Sequence, residues 1–338
     1  MNASPGLCRR DFGAMMDTGR LRRCSVSFCD KITMTENQDL NDRESLNLRF
    51  FNACDIEDAE LAQELAPHAD PWWQPPNSLT ALWFAAFGGR AEILRVMLAQ
   101  PQFREAVCDK NSDELLRISA ANGTIESVST LLPFFQNERI DAVATGEKGT
   151  RSSGETALIV AAAANPSLVP LLLESGADPL KTDSHGQDAL MTMVGPWRHR
   201  AFPAEELDLL AKRSDLARRN AQGRNALMIA AESGSTEMLR RLKPLFDASL
   251  RDNEGLDAFG IAVEKKQWAC VDFLGRAVSL ERLSGAFVAA GRDREKMPRA
   301  AAAIEAEALR ESAFEASGDG SGALASEPNP NRRGPRSL

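Results

Sequence analysis

The sequence predicts an all-α protein in which pairs of short helices repeat along the chain and stack into an α-solenoid. Three observations support this prediction. A core of the form Ala-Leu-x-x-Ala-Ala recurs, apolar residues follow the cores at helical spacing, and polar turns containing glycine separate the units. Because each unit can bury its apolar face only against its neighbours, the repeats must be contiguous for the fold to be stable.

The repeated core is clearest in residues 78–89, 154–162 and 223–234. The first and third of these segments share the pattern x-Ala-Leu-x-x-Ala-Ala-x-x-Gly, and the second carries its first seven positions. Weaker copies begin at three acidic residues, Glu114, Asp188 and Asp257. Counted from the residue before Ala-Leu or its equivalent, the six copies start at residues 80, 114, 156, 188, 225 and 257. Consecutive starts are 32 to 42 residues apart, which indicates a structural repeat of two helices.

The composition of each unit explains why it forms two helices that need neighbours. The paired alanines of the first helix allow adjacent helices to approach closely, so enlarging one of them should cost about 1–3 kcal/mol. They are Ala85–Ala86, Ala161–Ala162 and Ala230–Ala231. In the following helix Ile93, Met97 and Leu98 form an apolar stripe at helical period, which stacking against a neighbouring unit would bury.

Three short turns between units have a common composition. Residues 183–186, 220–223 and 252–255 each begin with Asp or Asn and end with Gly. An Asx side chain can accept bonds from the local backbone, and glycine supplies a positive φ. We refer to these segments as the finger turns.

The opening Thr-x-Leu-x-x-Ala-Ala at Thr156 and the close Leu-Leu-x-x-Gly-Ala-Asp at Leu172 resemble the ankyrin repeat. The resemblance covers about residues 46–275 and implies about seven helix-turn-helix units, of which the first and last are atypical. In the first unit, residues 46–71, the second helix is expected to start at Asp55.

The sequence departs from the family pattern in two respects. The usual Thr-Pro-Leu-His is never complete, so the Thr–His link that rigidifies strong repeats is missing, and we expect lower stability than in an idealised array. Insertions at residues 137–153 and 195–203 also break the period, and the first is expected to be exposed.

Four parts are expected along the chain. Residues 1–40 are expected to form a disordered arm, or else residues 1–33 precede a true start at Met34, and residues 41–278 are expected to form the ankyrin repeat domain. Residues 279–316 are Ala-rich and predict a helical C-terminal cap with a break near Pro298. Residues 317–338 contain few large apolar side chains and predict a disordered tail.

Composition and motifs argue against several classes of protein. No apolar run is long enough to span a bilayer, and six scattered cysteines without a Cys-x-x-Cys pair favour a reducing, cytoplasmic location. The three histidines lack metal-ligand spacing, and no phosphate-binding loop occurs. We therefore expect no metal, no cofactor and no catalysis. The net charge of −8 disfavours nucleic acid as a partner.

The family resemblance implies a partner-binding surface on the finger turns and on the exposed ends of the first helices. Position by position, this surface comprises Gln74, Asn77, Phe87, Ser184, His185, Gln187, Arg219, Gln222, Arg224, Glu232, Arg251, Asn253 and Glu254.

Aromatic and arginine side chains are the expected anchors of that surface. Phe87 is expected to be exposed by its register, with partial burial under the first finger as the alternative. Arg219 and Arg224 either bind an acidic segment of a partner or form an ordinary solvated face.

The tryptophans Trp72, Trp73 and Trp197 each leave two interpretations open. Trp72 and Trp73 either seal the N-terminal edge of the array or contact a partner. Trp197, beside His199 in the second insertion, either contacts a partner or packs on neighbouring helices.

These expectations lead to a functional prediction. The chain is predicted to be a monomeric, non-catalytic scaffold that binds another protein on the concave face of the solenoid. The excess of 31 arginines over 9 lysines hints at a GC-rich, bacterial source, so the alternative is a secreted effector that binds a host protein. Two further alternatives are self-association through helices after Leu274 and a small enzymatic activity in residues 280–338, which lack cysteine and histidine.

Overall fold

The structure is a computed structural model that describes residues 43–76, 78–109, 112–143, 154–195, 204–247 and 249–318. Throughout these residues the regular structure is helical, with no β-strand, as the all-α prediction required. The chain forms two compact units, Met1–Ala258 and Phe259–Leu338. No described helix is both long and apolar enough to cross a bilayer.

The first unit consists of short helices joined by tight turns. Its first half contains α1 (Arg43–Asp55), α2 (Ala59–Leu65), α3 (Ala81–Gly88), α4 (Ala91–Ala99), α5 (Pro101–Cys108), α6 (Glu114–Asn122) and α7 (Ile125–Leu131). Its second half contains α8 (Ala157–Ala164), α9 (Val169–Glu174), α10 (Ala189–Met193), α11 (Ala204–Arg213), α12 (Ala226–Ser233) and α13 (Thr236–Leu242).

Polar caps set where the first helix of a repeat begins. The Thr80 and Thr156 hydroxyls accept hydrogen bonds from backbone N–H groups three residues later, at 3.4 and 3.3 Å. Asp188 and Asn225 do the same at 2.8 and 3.0 Å. Each cap satisfies an N–H group that has no partner within its own helix, so these four helices begin one residue after the cap.

The first helices of successive repeats pack against one another. α3 contacts α6, α6 contacts α8, α8 contacts α10, and α10 contacts α12. The paired alanines of α3, α8 and α12 are fully buried, which agrees with the requirement for small side chains where helices meet.

The second helices form a parallel series. α2 packs against α4, α4 against α7, and α9 against α11. The apolar stripe of α4, including Ile93, Met97 and Leu98, is buried, and so is Leu172 in α9. The repeats therefore bury their apolar faces against their neighbours, as the periodicity predicts.

The structure differs from the sequence-based expectation at the N-terminal end. α1 continues to Asp55, where a second helix was expected to start, and the turn passes through Glu57 at φ 61° before α2 begins. Helix α5 was not expected at all. Pro101 lies in its first turn, and Phe103 packs against Phe50 with ring centroids 5.5 Å apart.

The second unit contains α14 (Ala258–Glu264), α15 (Trp268–Leu274), α16 (Leu280–Ala289) and α17 (Pro298–Gly318). α17 packs against α15 and α16. The Asp272 carboxylate in α15 accepts a hydrogen bond from the Ala300 N–H at 2.8 Å, which fixes the start of α17. The interruption between α16 and α17 ends at Pro298, the position where the sequence predicted a break.

Several predicted features lie outside the described residues. They are the N-terminal arm, the tail after residue 318, residues 144–153 of the first insertion and residues 196–203 of the second. The number of seven units and the solenoid they would form stay predictions.

Candidate functional site

The three finger turns share one hydrogen-bonding pattern. The Asp183 Oδ1 atom accepts hydrogen bonds from the N–H groups of His185 and Gln187 at 2.9 and 2.8 Å. Asn220 and Asp252 accept the corresponding pairs of bonds at 2.9–3.0 Å. The glycine of each turn has φ between 73° and 79°, in the left-handed region that glycine tolerates best.

Main-chain atoms join successive finger turns. The Ala221 N–H donates to the His185 carbonyl at 2.8 Å, and the Asn253 N–H donates to the Gln222 carbonyl at 3.1 Å. The Asn253 side-chain amide adds a bond to the Ala221 carbonyl at 3.0 Å. The three turns are thereby fixed in one register by bonds that depend little on the identity of the side chains at their tips.

The exposure of the predicted contact residues falls into three groups. Exposed residues are Gln74, Ser184, His185, Arg219, Gln222, Arg251, Asn253 and Glu254. Half-buried residues are Phe87, Gln187 and Glu232, and Arg224 is buried. Asn77 and Trp197, together with His199, lie outside the described residues.

Arg224 lies inside a network of carboxylates. Its Nε atom is 3.0 Å from Asp252 Oδ2, and its two terminal nitrogens are 3.0 Å from Glu232 Oε2 and 3.8 Å from Glu254 Oε2. Its side chain is 8% exposed and that of Asp252 is 1% exposed. Arg224 therefore links its own finger turn to the next one and to the C-terminal end of α12, instead of projecting into solvent.

The pKa shifts of Arg224 and Asp252 result from opposing causes. Burial alone would lower the pKa of Arg224, but the hydrogen bonds and charges of Asp252 and Glu232 outweigh burial and raise it. Burial would raise the pKa of Asp252, but the bonds from the Leu256 N–H and from Arg224 outweigh burial and lower it. Both groups are consequently ionised at neutral pH.

Sequence reasoning placed Arg224 on the surface and gave Asp252 only a turn-forming role. The signal that could have revealed the pair is the alignment of the finger turns, because Arg224 closes one turn and Asp252 opens the next. A cation and an anion at facing positions of adjacent turns favour an ion pair.

The arginines at the outer edge of the finger turns bind backbone carbonyls. One Arg219 terminal nitrogen donates to the Arg251 carbonyl at 2.9 Å, and one Arg251 terminal nitrogen donates to the Gly255 carbonyl at 2.7 Å. Both side chains are exposed, so each presents a positive charge while its position is restrained.

The aromatic candidates near the N-terminal end are partly buried. Trp72 is 46% exposed, and its backbone N–H donates to Asp70 Oδ1 at 2.9 Å. Phe87 and Trp73 are half-buried. Phe84, one turn before Phe87, packs against Phe51 with ring centroids 5.3 Å apart.

Two observations concern metal and thiol chemistry in the described residues. They include no group of three or more His, Cys, Asp or Glu side chains arranged to hold a metal ion. Burial raises the pKa of the Cys54 and Cys270 thiols to about 12, so both stay protonated and poorly nucleophilic at neutral pH.

Comparison with known proteins supports the family resemblance. A family model for the ankyrin repeat matches residues 153–184, which include α8, α9 and the start of the first finger turn. No curated protein matches the chain. Residues 153–184 therefore form a segment similar to an ankyrin repeat, and ankyrin repeats generally mediate binding to protein partners.

Proposed function

We propose that this protein is a non-catalytic interaction module that binds a protein partner along the finger turns and the adjoining ends of the first helices, the concave face of an ankyrin solenoid. The observation that carries the proposal is the shared geometry of residues 183–187, 220–224 and 252–256. Three turns held in register by backbone bonds present their side chains as one continuous row. A preorganised row of this kind reduces the entropic cost of binding.

The exposed tips define the chemistry of the contact. Ser184, Gln222 and Asn253 offer neutral donors and acceptors, and His185 can donate or accept. Arg219 and Arg251 add exposed positive charge whose positions are restrained by the backbone. The partner segment is therefore proposed to be polar, with carboxylate or carbonyl groups facing the arginines.

Arg224 is proposed to position Glu232 at this surface and not to contact the partner itself. The Arg224 guanidinium restrains Glu232 through a hydrogen bond of 3.0 Å, so we propose that its contribution to binding is positional. Phe87, half-buried at the end of α3, is proposed as an apolar contact at the other end of the row.

The experiment that tests the proposal is a tagged pull-down followed by mass spectrometry. Wild-type protein is compared with a variant carrying His185→Ala, Arg219→Ala and Gln222→Ala, which removes exposed side chains and leaves the backbone bonds of the finger turns in place. A prey that binds the wild type and is lost from the variant supports the proposal.

A matched control uses equally exposed residues away from the finger turns. Gln63→Ala, Glu126→Ala and Glu174→Ala change three surface side chains and should retain the prey. Loss of the prey from the control variant, or its retention by the finger variant, would contradict the assignment of the surface. Circular dichroism on both variants verifies that they are folded.

A second proposal is that the protein is a secreted effector that binds a host protein, and it is suggested by the excess of 31 arginines over 9 lysines, which hints at a bacterial source. A translocation reporter fused to the full chain tests it. Retention of the fusion in the producing bacterium would rule the effector role out.

A further inference from the structure

Arg219 and Arg251 occupy the same position in consecutive finger turns. Each arginine immediately precedes the Asn or Asp that opens its turn, and the two are 32 residues apart. Arg219 donates from a terminal nitrogen to the Arg251 carbonyl at 2.9 Å, and Arg251 donates to the Gly255 carbonyl at 2.7 Å. Both guanidinium groups are therefore held against the third finger turn, residues 252–255, one at its beginning and one at its end.

These two positive charges lack the carboxylate partners that Arg224 has. Among the described residues neither guanidinium forms an ion pair with a carboxylate, and both side chains are exposed. Glu254 is an exposed acid in the third finger turn, but its carboxylate is 3.8 Å from Arg224. Two like charges restrained against the same turn repel each other, so an anion that contacts both would be stabilised there.

The donors that remain on the two guanidinium groups match a phosphate group. A guanidinium carries five N–H donors, and each of these arginines uses one terminal nitrogen on a backbone carbonyl. The remaining donors include the planar fork that binds phosphate oxygens in pairs. A phosphorylated side chain carries a charge of about −1.5 to −2 at neutral pH and has three acceptor oxygens. It can therefore neutralise both arginines, whereas a single carboxylate can neutralise one.

The neighbouring tips indicate that the phosphate belongs to a peptide. Ser184, Gln222 and Asn253 are exposed in the same row and offer neutral donors and acceptors, which suit the N–H and C=O groups of a peptide backbone. Residues 183–187, 220–224 and 252–256 contain no Trp, Tyr or Phe on which nucleic acid bases could stack. The row therefore favours a peptide over a single-stranded nucleic acid.

We propose that Arg219 and Arg251 form a binding site for the phosphate group of a phosphorylated serine or threonine in the partner segment. The inference rests on the proposed function, because the same finger turns hold the rest of that segment. It assigns a phosphate, in preference to a carboxylate, to the position that faces these arginines. Binding of the partner then depends on the kinase and the phosphatase that act on it.

Retention of defined peptide libraries by the immobilised full chain tests the proposal. The three libraries have degenerate flanking positions and a fixed central phosphoserine, serine or aspartate. The phosphoserine library should be retained about tenfold more than the serine library, because a hydrogen bond to a charged group contributes at least this factor. The aspartate library should be retained less than the phosphoserine library, since its charge is smaller.

Variants with matched changes in charge show whether the two arginines carry the preference. The double variant Arg219→Gln, Arg251→Gln should retain the phosphoserine library no better than the serine library. The control variant Arg49→Gln, Arg95→Gln removes two exposed positive charges from α1 and α4 and should keep the preference. Glu254→Gln removes a negative charge from the third finger turn and should increase retention of the phosphoserine library. Circular dichroism verifies that each variant is folded.

Several outcomes would overturn the phosphate site. They are equal retention of the phosphoserine library and either of the other two, a phosphoserine preference that survives in the double arginine variant, and preferential retention of a single-stranded oligonucleotide. The pull-down described above separates these results from a failure of the proposed function. A prey that binds the wild type after phosphatase treatment, and that the finger variant loses, would refute the phosphate site and leave the interaction surface in place.

Discussion

Asp188 and Asn225 occupy equivalent positions in different repeats. Both cap the N-terminus of the following helix, but the two side chains differ in charge. Both side chains accept a hydrogen bond from the first turn of the following helix, and both are almost fully buried. Only Asp188 brings a negative charge into this environment. Burial raises the pKa of Asp188, although the Met191 N–H and the charge of Arg218 act in the opposite direction.

This difference predicts that Asp188→Asn increases the free energy of unfolding, and that the increase depends on pH. A raised pKa in the folded state means that the free energy of unfolding falls as pH rises from the ordinary carboxyl range through the raised value. Asparagine keeps the cap and carries no charge, so the variant should be more stable than wild type at neutral pH.

Denaturant unfolding across pH measures the effect. The advantage of Asp188→Asn should shrink as pH falls through the raised pKa of Asp188, and it should be lost below about 3.9, the ordinary pKa of aspartate. Asp188→Ala, which also removes the cap bond, should be about 1 kcal/mol less stable than Asp188→Asn. An asparagine variant that is less stable than wild type at neutral pH would contradict the argument.

Gly223 and Gly255 allow the cost of a positive φ to be separated from the cost of a steric clash. Their φ values are 77° and 79°. A Cβ atom on Gly223 would lie 2.3 Å from Asn253 Oδ1 and 2.9 Å from the Asn253 backbone nitrogen, whereas at Gly255 it would meet no described atom within 4 Å.

Alanine at the two positions should therefore have unequal effects. Gly255→Ala should cost about 1–2 kcal/mol from backbone strain alone. Gly223→Ala should cost more, because Asn253 must move and its bonds to the preceding finger turn are disturbed. Thermal unfolding of the two variants gives the comparison, and equal losses would show that the contact with Asn253 is not tight.

At the scale of the element, the link between finger turns depends on the ion pair of Arg224 and Asp252. Arg224→Leu would leave a carboxylate that is 1% exposed without its cation, and should cost about 3–5 kcal/mol. The double variant Arg224→Leu, Asp252→Asn should recover part of this loss, since it removes the buried charge. Chemical denaturation measures both, and a loss below about 1 kcal/mol from Arg224→Leu would contradict the structure.

The pH range of this ion pair follows from the direction of the shift. The pKa of Asp252 is lowered in the folded state, so its contribution to stability is present above the ordinary carboxyl pKa and is lost as pH falls through the lowered value. The finger turns should therefore stay linked in mildly acidic solution.

Two arginines also connect segments of neighbouring repeats. Arg90 donates to the Cys54 carbonyl at 2.9 Å and pairs with Asp55 at 3.3 Å. Arg139 donates to the Val107 carbonyl at 2.8 Å and pairs with Asp113 at 2.9 Å. Each arginine contacts the end of a helix more than 25 residues earlier in the chain. The lower stability predicted from the missing motif must be weighed against these contacts.

At the scale of the whole molecule, local sequence signals predicted the helices better than they predicted the contacts between repeats. Polar caps followed by Ala-Leu specified the starts of α3, α8, α10 and α12. The sequence pattern did not predict helix α5, because this helix carries no repeat motif. The burial of Arg224 could not be inferred from local pattern, because it depends on Asp252, 28 residues later.

Stability is expected to be distributed nearly one-dimensionally along the repeats. Leu172 in α9 is fully buried, and Leu172→Ala should cost about 2–5 kcal/mol. Hydrogen exchange should show the loss of protection chiefly in α8, α9 and the adjacent repeats, because each repeat contacts mainly its neighbours. Uniform loss throughout the chain would indicate a single cooperative unit instead.

Because backbone bonds join the finger turns, the stability of this region depends little on the side chains that determine which ligand it binds. The Ala221 and Asn253 N–H groups fix the register through main-chain atoms, so mutations at Ser184, His185 or Gln222 can accumulate without loss of the fold. Natural variation could then change what this surface recognises while the scaffold persists. The same independence makes these three positions suitable for a randomised library that selects new ligands.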